Sequence, residues 1–111
     1  MASKSIIQSG EAMCFICKKY LNVETKTGII HHCIHGRGLR KLADSDGLTI
    51  WICNRHHAAL HDDPNHPYDN ELKVIAQEAW IKARMKEGYP SDAAMEMWLA
   101  RYGRFWYEQT L

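Results

Sequence analysis

Cys14 and Cys17 stand at CxxC spacing, and Cys53 opens the run CNRHHAALH, which contains His56, His57 and His61. Two thiols at CxxC spacing can point at one tetrahedral ion from a single tight turn, and Cys53 with His56 offers a second pair where a strand meets a helix. Three cysteines and a histidine form a closed tetrahedral set of the kind used by structural zinc, so distant segments of the chain must meet. A chain of 111 residues buries only roughly 65% of the surface it exposes when unfolded, and a zinc staple adds directly to that modest core. Cys33 is the spare thiol and competes with Cys53 for the ion.

The composition fits one small domain, with 46% hydrophobic and 24% charged residues. No secretory apolar core follows Met1, and no run approaches the ~20 apolar residues of a membrane span. The expected compartment is reducing cytoplasm, where clustered cysteines bind metal rather than pair as disulfides. Net charge is +1, yet residues 1–60 hold eight Lys and Arg against four Asp and Glu, and residues 61–111 hold six against nine. The positive excess lies with the histidines and cysteines, far below the charge of a strongly basic nucleic-acid-binding domain.

Residues 1–12 read as a polar, mobile arm. The partly β-branched segment Gly28 to Cys33 predicts a strand. Ile34 to Gly47 predicts a loop with a short helical turn at Leu39 to Ala43, and LTIWIC, Leu48 to Cys53, predicts a second strand. A short helix follows over Arg55 to His61, closed by Pro64 and Pro67. Asp69 to Lys86 places Leu72, Ala76, Ala79, Trp80 and Ala83 on one helical face before Gly88. Ser91 is the expected cap of a last helix carrying Ala94, Met97, Trp98 and Tyr102, with Gly103 as its stop. The aromatic residues on these stripes are expected to be core.

Helical geometry separates the neighbouring histidines. His56 and His57 diverge by about 100°, His57 and His61 by only about 40°, and His56 and His61 by about 140°. His56 can therefore face the cysteines while His57 and His61 face a second site together. On the strand, His31 and His32 point to opposite sides of the pleat, so one can join His57 and His61 as a ligand and the other stays free as a base. His35 and His66 lack a spaced partner and are expected to be solvated loop residues.

The order CxxC, strand with HH, glycine-containing loop, second strand and CxxHHxxxH resembles the HNH endonuclease motif, the ββα-metal or His-Me finger. The run GRGLRKLADSDGL followed by a strand and the cysteine-histidine cluster is similar to small zinc-stapled HNH proteins of bacteriophages, including the Ref-like recombination nucleases. The ending WLARYGRFWY resembles the aromatic terminus of some of them. This resemblance implies an α+β fold: a zinc-stapled ββα-metal core over residues 13–63 and a helical extension over residues 64–111, forming one domain overall.

The resemblance also implies roles. His32 matches the general base; His31, His57 and His61 match the ligands of a catalytic ion (magnesium, manganese, nickel or zinc); Cys14, Cys17, Cys53 and His56 hold the structural zinc. The implied reaction is hydrolysis of DNA phosphodiester bonds to 5′-phosphate and 3′-hydroxyl ends in the bacterial cytoplasm. Arg37, Arg40, Lys41 and Arg55 flank the site and are candidate phosphate contacts. The family's middle asparagine is not evident: Gly47, Leu48 and Thr49 stand there, which leaves a backbone carbonyl to orient His32. The alternative is a degenerate HNH-like module that binds nucleic acid or a host protein. A homodimer through the apolar helical stripes fits either reading, and a membrane partner fits neither.

Overall fold

The β-branched runs pair. β1 (Ile29–His32) and β2 (Thr49–Ile52) form an antiparallel two-stranded sheet in which Ile29 opposes Ile52 and His32 opposes Thr49. This computed structural model describes residues 4–63 and 65–106. Residues 1–3 of the arm, Pro64 and Tyr107 of the aromatic ending lie outside the described residues. Four α-helices complete a small α+β domain: α1 (Leu39–Asp46), α2 (Asn54–Asp62), α3 (Pro67–Lys86) and α4 (Ser91–Tyr102). A single π-helical turn, Cys17–Leu21, follows the CxxC and ends on Asn22 in the left-handed region.

One continuous apolar core joins the first half of the chain to the helices. Ile16, Ile34, Leu48 and Ile52 are fully buried in it together with Leu72 and Trp98. The helical stripes behave as their period requires: Leu72, Ala76 and Trp80 of α3, and Ala94, Trp98 and Tyr102 of α4, are all buried. Trp98 stacks on Tyr102 with ring centres 4.1 Å apart and meets Trp80 edge-on at 5.6 Å. No helix among the described residues is long and apolar enough to cross a membrane.

Four details differ from the sequence reading. Where a short turn is expected, α1 runs on to Asp46, because Gly47 adopts φ 74° and lets its own N–H and that of Leu48 close the helix onto Asp44 and Ala43. The described part of the arm is tied to β2 rather than loose. Ile6 N–H donates to the Gly47 carbonyl at 2.9 Å, the Ser5 hydroxyl to the Thr49 carbonyl at 2.6 Å, and Trp51 N–H to Gln8 Oε1 at 2.9 Å. Polar side chains thus satisfy the outer edge of β2, a pairing that depends on a distant segment. α3 starts at Pro67, ahead of the expected Asp69, and Ser91 is the first residue of α4 rather than its cap.

α1 is tied to both long helices through one carboxylate. Asp46 accepts from Arg101 Nε and Nη2 at 2.6 and 2.8 Å, from the Tyr102 hydroxyl at 2.6 Å and from Trp80 Nε1 at 3.1 Å. Burial, then the hydrogen bond to Asp46, push the Tyr102 hydroxyl above its usual pKa. Removing a largely buried carboxylate that serves several donors leaves each of them unsatisfied. Asp46→Ala is therefore expected to lower stability by about 3 kcal/mol in urea denaturation, with Asp46→Asn intermediate.

Candidate metal centre and histidine pocket

The CxxC turn and the β2–α2 junction bring four donors together. The Sγ atoms of Cys14, Cys17 and Cys53 and a ring nitrogen of His56 all lie within 4.8 Å of one another. Tetrahedral zinc with ordinary bond lengths separates two sulfurs by about 3.8 Å and a sulfur from a nitrogen by about 3.5 Å. Here Cys17 and Cys53 Sγ are 3.8 Å apart, and His56 Nδ1 lies 3.7, 3.4 and 3.2 Å from the sulfurs of Cys14, Cys17 and Cys53. The set can hold a metal ion such as zinc. Burial pushes the Cys14 thiol up. Burial also acts to raise Cys53, but hydrogen bonds from the His56 and Arg55 backbone and from the neighbouring thiols bring it below its ordinary value. Cys33 stays outside the set; it is fully buried, and burial followed by the charge of Asp69 raises its thiol far above normal.

The phase of α2 then sends its other histidines elsewhere. His57 and His61, one turn apart, border a pocket of about 330 Å³ also lined by Ile30, His31, His32, His35, Arg40, Leu60 and Asp69. His57 and His61 face each other with Nε2 atoms 3.1 Å apart. The His31 ring centre is 6.1 Å from that of His57. Among the described residues only the Cys14, Cys17, Cys53 and His56 set brings three or more donors within 4.8 Å, so the pocket histidines stand wider apart as placed. Both strand histidines border the pocket, despite the expected division by the pleat. His32 is the last residue of β1, and its ring turns to Asp44 on α1, with Nε2 2.9 Å from Oδ1.

His31 is the most buried of the pocket imidazoles. Its Nε2 has no hydrogen-bond partner and lies 3.9 Å from Asp69 Oδ1. Burial lowers its pKa from 6.5 to about 4, against the raising effect of Asp69. Burial, then His61, also lowers His57.

Both of the histidines expected to be solvated have partners. His35 donates to Asp69 Oδ1 at 3.1 Å, and His66 Nδ1 accepts from Tyr68 N–H at 3.1 Å, capping α3. His35 is close to Asp69 because the loop after β1 passes the first turn of α3, an approach invisible in local spacing. Asp69 itself is 2% exposed, and its other oxygen lies 3.0 Å from Lys73 Nζ, one turn along α3. Asp44, Asp69 and His35 are the site residues the sequence reading misses; no local pattern marks any of them. Of the basic candidates, Arg40 lines the pocket, whereas Arg55 borders a different groove beside Cys17 and Cys53. Arg37 and Lys41 are exposed on the loop and on α1.

Elemental analysis of purified protein should give about one tightly held zinc per chain. Cys17→Ser should release it and lower the melting temperature, while His57→Ala should retain it. A second expectation concerns pH. Because the folded pKa of His31 lies below its ordinary value, the neutral form is favoured by folding. That stability is complete above about pH 6.5 and is lost as pH falls towards about 4. Denaturation of wild type and His31→Phe across this window should differ in slope, with wild type the steeper. Comparison of the chain with protein-family models, with curated proteins and with solved structures finds no match.

Proposed function

We propose that the protein is a metal-dependent DNA endonuclease or nickase of the HNH type, with His32 as general base and His31, His57 and His61 as ligands of one divalent ion. The observation that carries this reading is the pairing of His32, which borders the histidine pocket, with Asp44 on α1. An ionised carboxylate accepts only, so the His32 proton sits on Nε2 and the Nδ1 lone pair is left to take a proton from water. Asp44 thereby does the work expected of the missing asparagine, in place of a backbone carbonyl.

The pocket residues suit an ion by their chemistry. The buried Nε2 of His31 lacks a partner, a condition that folded proteins rarely leave unanswered. Burial keeps that imidazole in the neutral form that ligates. The 3.1 Å between His57 and His61 Nε2 is close to the edge of about 3.3 Å between two nitrogens on tetrahedral zinc. Imidazole donors favour zinc or nickel and disfavour magnesium. A bound ion would supply Lewis-acid stabilisation of charge on the phosphate and on the departing 3′ oxygen.

His32 takes the proton of a water whose oxygen attacks phosphorus; the bond to the 3′ oxygen breaks and that oxygen takes a proton from solvent water, leaving 5′-phosphate and 3′-hydroxyl ends. Arg40 at the pocket rim can pair with phosphate oxygens. The thiolate set fixes the start of α2 and with it the phase of His57 and His61.

Plasmid nicking with magnesium, manganese, nickel or zinc tests this. His32→Ala is expected to lower cleavage by about 10²–10⁴-fold while ion binding is retained. If wild type is as inert as His32→Ala in every metal yet still binds DNA or a host protein, the enzyme reading fails in favour of a binding module.

A further inference from the structure

Asp69 is a carboxylate placed where carboxylates are costly, and the proposed reaction has not used it. It is 2% exposed, and an ionised group so far from water must be compensated by partners. Lys73 supplies one, 3.0 Å away within α3, and His35 supplies another, with Nε2 3.1 Å from Oδ1. The carboxylate can only accept, so the His35 proton lies on Nε2 and Nδ1 keeps its lone pair. His35 borders the same pocket as His31, His57 and His61. Its ring centre is 6.2 Å from that of His31, which in turn is 6.1 Å from that of His57.

We propose that His35 is a further ligand of the ion in this pocket and that Asp69 is the positioning residue that fixes its tautomer. A ring nitrogen held by a carboxylate, with the other nitrogen facing an ion, is the common arrangement of metal-bound imidazole. A second observation points the same way: the buried Nε2 of His31 is without a hydrogen bond 3.9 Å from the same carboxylate oxygen. The open nitrogen of His31 and the carboxylate that holds His35 are therefore neighbours in the pocket. The inference rests on the ion assigned to this pocket above. It adds a ligand outside the strand-and-helix motif, and it makes the first turn of α3 part of the site.

The test is calorimetric titration of Ni²⁺ into full-length protein whose thiolate site is already loaded with zinc. Wild type is expected to take up one further ion, and His35→Ala and Asp69→Asn to bind it about 10- to 100-fold more weakly. The first variant should melt no more than slightly below wild type, since the His35 side chain is 46% exposed and Lys73 still faces Asp69. Zinc content, measured alongside, should be unchanged in both. A purely structural role for Asp69 would lower the melting temperature of Asp69→Asn and leave nickel affinity intact in both variants, which overturns the proposal. Uptake of no further ion by wild type overturns it as well. If the variants weaken nickel binding as expected but wild type cleaves no DNA, this inference stands and the nuclease reading falls. If His57→Ala alone abolishes nickel binding, the inference falls and the reading stands.

Discussion

The convergence of three sulfurs and one imidazole nitrogen is the constraint on which the remainder of the molecule hangs. A sheet of two four-residue strands is marginal by itself, and an ion held by the donor set would clamp the turn before it to the helix after it. That clamp fixes more than position. It sets the rotation of α2 about its own axis, because His56 must face the sulfurs. Leu60 then turns into the core, and His57 and His61 turn into the pocket. A short helix with many polar residues has little apolar surface, chiefly Leu60, with which to choose its own orientation, and the placement of His56 among the sulfurs agrees with that choice.

The helical second half is more than a cover over this arrangement. α3 sends Asp69 to His31 and His35, while α3 and α4 together hold α1 through Asp46. α1 in turn carries Asp44 to His32. The His31, His32 and His35 side of the pocket is thus flanked by carboxylates whose own places depend on helices outside the strand-and-helix core. The apolar stripes of α3 and α4 bury against that core, while Asp69 of α3 reaches the imidazoles and Arg101 of α4 reaches Asp46.

Much of this is legible in the chain. The β-branched runs around Ile30 and Ile50, and the recurrence of Leu72, Ala76 and Trp80 or of Ala94, Trp98 and Tyr102, are local signals, and local periodicity reports burial directly. The donor set is legible because ligand chemistry admits few residue types at few spacings. α1 is harder to read. Its apolar residues Leu39, Leu42 and Ala43 are few and its ends are glycines, so tertiary packing decides its length. Asp44, Asp69 and His35 are not legible, for a different reason. Each acquires its role from a partner brought near by folding, 12 positions away for His32–Asp44 and 34 for His35–Asp69, and nothing in the spacing of carboxylates announces that approach.

The two carboxylates of α1 give the molecule an order of completion. Asp44 and Asp46 project about 200° apart on the helix, one towards His32 and the other towards Trp80, Arg101 and Tyr102, which lie 34, 55 and 56 positions further along the chain. During synthesis the sulfur and imidazole donors are all present once His56 has left the ribosome. The restraints on α1 are finished only when Tyr102 has followed, a few seconds later at about 5–20 residues per second. The thiolate clamp and the His32 wall of the pocket therefore mature at different times, and the second waits on almost the whole of the chain.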